Sequence, residues 1–123
     1  DLLGEVPKGI MLLPAFGYLP FLALVRRAAF LLTDSGGIQE EATYLQKRCY
    51  TLRANTERPA TLESGSNVLI DIAEAEDRTR VLAEVAQGIA PMVTVPSLWD
   101  GKAGERIVGV LREWCAVRGK PSR

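Results

Sequence analysis

The chain predicts an α/β domain built on a parallel sheet, with helices on both faces. Three observations carry this. Short apolar runs such as IMLL and FLLT recur along the chain, each too short for a helix. They lack the polar–apolar alternation of a half-exposed strand, as befits strands buried on both faces. Between them lie stretches whose apolar residues keep helical spacing, and strands alternating with helices imply parallel pairing through right-handed crossovers.

The elements follow in order. Residues 10–13 (IMLL) read as a buried strand ended by Pro14. Residues 18–29 read as a helix, with Pro20 early enough to fit its first turn. Residues 30–33 (FLLT) read as a second strand, cut short by Asp34-Ser35-Gly36-Gly37, and residues 38–46 as a helix with a charged early turn. A third strand at 49–52 (CYTL) leads into a polar loop at 53–59, a helical turn at 60–64 and a fourth strand at 67–70 (NVLI). Amphipathic helices are expected at 74–87 and 102–117, separated by a loop at 93–101. In the last of these loops Trp99 reads as an anchor for the final helix and Asp100 as its cap.

Composition narrows the function. The 123 residues suit one domain, with 47% hydrophobic and 24% charged residues. Lys+Arg and Asp+Glu are both 15, which argues against commitment to nucleic acid or an anionic membrane. Apolar stretches are interrupted by Pro14, Gly17, Pro20 or Arg26, short of the roughly 20 residues of a membrane span. There is no histidine, and Cys49 and Cys115 are far apart, so neither a metal centre nor a disulfide framework is expected. A reducing cytoplasm is the easier reading of that cysteine usage. Beginning at Asp1 with no signal-peptide pattern, the chain reads as a piece of something longer.

In sheets of this kind ligands sit beyond the carboxyl ends of the strands, here the corners after Leu13, Thr33 and Leu52. Ser35-Gly36-Gly37 opens a helix. A helix N-terminus offers unpaired N–H groups and a positive dipole end, and glycines let an anion approach. A tight turn capped by Ser35 or Asp34 is the structural alternative. Glu40 and Glu41 follow. Adjacent helical residues point about 100° apart, so only one can aim at a ligand while the other meets solvent or a neighbouring loop. A carboxylate would repel phosphate but could accept hydrogen bonds from sugar hydroxyls, which suggests a nucleotide. Arg58 could contact phosphate or sugar oxygens, or pair on the surface with Glu57 or Glu63. Phe21 could pack in the core or contact a flat base.

Taken together, YLPFLALVRRAAFLLTDSGGIQEEA, LRANTERP and DGKAGERIVGVL resemble the C-terminal part of the non-hydrolysing UDP-N-acetylglucosamine 2-epimerases. The resemblance runs from about Ile10 to Leu111 and implies a Rossmann-like partial domain, the C-terminal half of a glycosyltransferase-B-type fold. The family interconverts UDP-N-acetylglucosamine and UDP-N-acetylmannosamine by elimination and re-addition of UDP, in cell-envelope polysaccharide synthesis. The resemblance implies that Ser35, Gly36 and Gly37 hold the diphosphate, Glu41 the ribose and Arg58 the nucleotide-sugar. Phe21 and the loop around Phe16 match the uracil side. It implies no cofactor, no catalytic residue in this chain, and a homodimer for the intact protein. A hydrolysing epimerase, a related glycosyltransferase and a non-catalytic remnant are the alternatives. The sequence departs from the family at Ala60, where glutamate is usual, and at PSLWDG, where the family often has NPYGDG. The expected strand order is 3-2-1-4-5-6, with residues 10–13 as the third strand, residues 30–33 as the fourth, and the first two upstream of Asp1. Residues 119–123 are expected to form a flexible tail.

Overall fold

A computed structural model describes residues 4, 6–89 and 94–118. The chain runs through α1 (Tyr18–Arg27), β1 (Phe30–Thr33), α2 (Gly36–Tyr44), β2 (Arg48–Thr51), α3 (Pro59–Glu63), β3 (Asn67–Leu69), α4 (Ala75–Gln87) and α5 (Ala103–Arg118). The tail expected at 119–123 lies outside the described residues. No described helix is long and apolar enough to cross a membrane.

The three strands form one parallel sheet in the order β1-β2-β3. Leu32 stands beside Tyr50 and Tyr50 beside Val68; Leu31 stands beside Cys49 and Cys49 beside Asn67. Because side chains alternate along a strand, these two rows face opposite ways. Helix α2 covers the Cys49 face, where its Gln39, Ala42 and Thr43 are buried. Helix α4 reaches the other face, where Glu84 accepts a hydrogen bond from the Tyr50 hydroxyl at 2.7 Å. Helices thus lie on both faces, as the sequence predicts.

The buried centre is unusually polar. Val25, Ala42, Cys49, Tyr50 and Ile70 are its buried hydrophobic residues, alongside Gln39, Thr43, Thr51, Thr61, Ser66 and Asn67. Most buried polar groups in folded proteins find hydrogen-bond partners, and here many of them bond to one another. This layer fills the space between α2, α3 and the sheet.

Two expectations are corrected. Residues 10–13 form no strand: Ile10, Met11, Leu12 and Leu13 are all exposed. An apolar run becomes a strand only beside another strand, and none of the described residues lies paired with it. The sheet contains the β1-β2-β3 half of the expected order without its third strand. Second, α2 begins at Gly36, two residues earlier than predicted. Glu40 and Glu41 therefore fall in its second turn, beyond the reach of most of the dipole effect.

Candidate functional site

Thr33 ends β1, and the chain turns at once into α2. Ser35 takes an extended N-cap conformation (φ −81°, ψ 125°), yet its side chain makes no capping hydrogen bond. Its own N–H is donated back to Thr33 Oγ1 at 3.1 Å, which tightens the corner. The first-turn N–H groups thus lack a side-chain cap, and the Ser35 hydroxyl is not spent on them. A Cβ at Gly36 would lie 3.2 Å from Glu57 Oε1, while one at Gly37 would meet nothing within 4 Å. The corner is open at Gly37 and lightly overhung at Gly36. This is the arrangement an anion can enter.

The two glutamates divide as their angular separation requires. Glu40 meets the loop after β2, its Oε1 lying 3.2 Å from Arg58 Nε. Glu41 meets α1: its carboxylate lies towards the Tyr18 hydroxyl and pushes the phenol's pKa up. Both carboxylates line a cleft of about 480 Å³ with Tyr18, Leu22, Tyr44, Leu45 and Trp99. Trp99 thus walls the cleft rather than serving only as an anchor for α5. Asp100 does hold the start of that helix. It accepts from the Lys102 N–H at 3.0 Å and from both terminal nitrogens of Arg106 at 2.8 and 3.0 Å. These bonds keep its carboxyl well below the usual carboxylate range. Phe21 is half-buried in α1 and Phe16 exposed before it, and neither lines the cleft.

Arg58 is held by its backbone. Its N–H is donated to Thr56 Oγ1 at 3.1 Å, and its carbonyl accepts from the Thr61 hydroxyl at 2.7 Å. Thr61 belongs to the buried polar layer, and the part-buried Thr56 is bonded to it. The Thr56 hydroxyl donates to Gln39 Oε1 at 2.6 Å, and Asn67 Nδ2 donates both to Gln39 Oε1 at 3.0 Å and to Thr61 Oγ1 at 3.1 Å. Asn67 Oδ1 is in turn fixed by the Thr51 hydroxyl at 2.6 Å. The side chain of Arg58 is freer. Its Nε lies within ion-pair distance of Glu40, but the N–H is not aimed to form a hydrogen bond. The surface partners expected for Arg58 are not used: Glu57 pairs with Arg53 instead, at 3.4 Å.

The fold thus brings Ser35, Gly36, Gly37, Glu41 and Arg58 onto or beside one helix. Tyr18, Gln39, Thr56 and Asn67 were not picked out by sequence reasoning, and Trp99 was read only as an anchor for the final helix. For Tyr18 a signal existed, since it stands one helical turn from Leu22. For Gln39 it lay in the motif itself, between the glycines and the glutamates.

The family profile described as UDP-N-acetylglucosamine 2-epimerase matches residues 1–112. The UDP-N-acetylglucosamine 2-epimerase of Methanocaldococcus jannaschii is 40% identical over 109 residues, covering 85% of this chain and 28% of the relative. That of Escherichia coli is 37% identical over 114 residues, covering 90% of this chain and 30% of the relative. Among solved structures, the M. jannaschii UDP-GlcNAc 2-epimerase in complex with UDP-GlcNAc and UDP superposes with a TM-score of 0.61 at 42% identity, covering 79% of this chain and 26% of that one. The Neisseria meningitidis enzyme bound to UDP-GlcNAc gives 0.60 at 29% identity, covering 82% and 28%. The chain spans under a third of the length of these relatives.

Proposed function

We propose a UDP-binding role for this chain, which belongs to the UDP-N-acetylglucosamine 2-epimerase family. On this reading it is the C-terminal, Rossmann-like portion of an epimerase. The longer protein interconverts UDP-N-acetylglucosamine and UDP-N-acetylmannosamine in the cytoplasm as a homodimer. Ser35, Gly36 and Gly37 hold the diphosphate, Glu41 accepts from the ribose hydroxyls, Arg58 contacts the nucleotide-sugar, and Phe16 and Phe21 lie on the uracil side. None of the family's proton-transfer groups is carried over to a residue of this chain. Its contribution is to bind UDP and to stabilise the charge that develops on it as it leaves the sugar.

The observation that carries the reading is the uncapped N-terminus of α2 with Arg58 held against the same helix at Glu40. Losing a charged, ligand-bonded group costs about 1.5–3 kcal/mol, which is about 10- to 150-fold in affinity. Arg58→Ala should weaken UDP binding by that much in a calorimetric titration. Arg78→Ala removes the same charge from α4 and should leave affinity within about twofold. Equal effects from the two substitutions would remove the nucleotide assignment.

A further inference from the structure

We propose that Gln39 is a positioning residue: by gripping Thr56, and Thr61 through Asn67, it fixes the backbone on both sides of Arg58 and so sets where the guanidinium meets the nucleotide. This rests on the UDP-binding reading above and adds to it a residue that touches no ligand.

The bonds form a closed clamp. One side-chain oxygen, Gln39 Oε1, accepts from both the Thr56 hydroxyl and Asn67 Nδ2. Thr56 then takes the Arg58 N–H, and Thr61, held by Asn67, donates to the Arg58 carbonyl. Arg58 sits between these grips at φ −119°, ψ 60°, ahead of α3 and outside helical geometry. Pro59 follows it and restricts the backbone of the residue before it further. An arginine whose backbone is held this way presents its side chain from one fixed origin, and little conformational freedom is left to lose on binding.

Stability alone does not explain this choice of residue. Gln39 is fully buried, and its Nε2 has no hydrogen-bond partner. An orphaned buried donor is destabilising and offsets part of what the two bonds to Oε1 contribute. What glutamine supplies is reach: from α2 its oxygen meets the loop after β2 and the start of β3 at once. The helix that opens the anion corner is thereby tied to the loop that carries the arginine, and the two halves of the site keep one spacing.

The test is a double-mutant cycle read by UDP titration of the protein, with thermal melting of each variant as the check on folding. Thr56→Val cuts the grip while leaving the Gln39–Asn67 bond intact. It should weaken UDP binding about tenfold, the scale of a lost positioning bond. Thr56→Ser keeps the hydroxyl and should restore affinity to within about twofold of wild type. In an Arg58→Ala background Thr56→Val should cost nothing further, because its effect passes through Arg58. Gln39→Leu should repeat the pattern; if it unfolds, the Thr56 cycle decides. The positioning role is overturned if Thr56→Val binds UDP like wild type, or if its loss persists at full size without Arg58. A wild type that does not bind UDP, or an Arg58→Ala variant equal to it, overturns the UDP-binding reading and the positioning role with it.

Discussion

At Gly36 stability and ligand binding separate. A Cβ there would press on Glu57 Oε1 at 3.2 Å. That oxygen ends a flexible side chain that is 59% exposed and held only by a loose ion pair to Arg53, so it can swing aside at little cost. Gly36 is the first residue of α2 and does not adopt the left-handed backbone that would demand glycine. Alanine has a helix propensity better than glycine's by up to about 1 kcal/mol. Gly36→Ala should therefore leave the melting temperature unchanged or raise it slightly. Its methyl would nevertheless stand over the uncapped N–H groups where the diphosphate is proposed to lie. UDP affinity should fall at least about tenfold, because close backbone approach is what the glycine provides. Melting and titration of one preparation read both effects. A variant that binds UDP as tightly as wild type takes Gly36 out of the cradle. Gly37→Ala is the matched comparison, since a Cβ there meets open space.

Among the elements, α4 has no fully buried residue, so single side-chain bonds count for more in holding it. Glu84 ties it to the sheet by accepting from the Tyr50 hydroxyl at 2.7 Å and from Arg48 at 3.0 Å. The Tyr50 bond first, and then Arg48, pull the Glu84 carboxyl below its ordinary value. A depressed folded-state value means that the stabilisation is fully present above the ordinary glutamate range and is lost as pH falls through the folded value. Glu84→Gln should cost about 1 kcal/mol or less at neutral pH, given the partial exposure of the pair, and should flatten the acid limb of a stability–pH curve. An unchanged acid limb would show that α4 is held by something else. The same contrast between near and distant contacts explains what could be read in advance. Strands β1 and β2 were legible because their apolar runs are contiguous, and the Ser35–Gly37 corner because its chemistry sits in adjacent residues. The strand expected at 10–13 was not borne out, because pairing depends on a neighbour the run itself does not specify. The clamp of Gln39, Thr56 and Asn67 joins ordinary residue types from α2, the loop after β2 and β3. Starting α2 two residues late also hid which of its residues face inward.

For the molecule as a whole, the decisive quantity is surface. The chain exposes 9763 Å², against about 6,500 Å² expected for a compact protein of 13.4 kDa. Much of the excess is apolar: Ile10, Met11, Leu12 and Leu13 ahead of α1, Leu82 and Val85 on α4, and Ile107, Val110, Leu111 and Trp114 on α5 are all exposed. The sheet adds a second liability. Among the described residues strand β1 pairs only with β2, which leaves the N–H and C=O groups of its other edge without a strand partner there. Natural edge strands are blunted by charges, prolines or bulges, whereas FLLT has none of these and reads as a strand built for the middle of a sheet. The relatives carry over twice as much chain again, from which such surfaces could be covered. The 123 residues on their own should therefore associate through these faces. Size-exclusion chromatography should give a concentration-dependent elution above monomer size, and heating a broad, weakly cooperative transition. Joined to the remainder of a full-length relative's chain, the same residues should elute at one defined size and melt cooperatively at a higher temperature. A monomeric 123-residue chain with an equally high, sharp melt would show that the exposed strand edge and apolar faces carry no such cost.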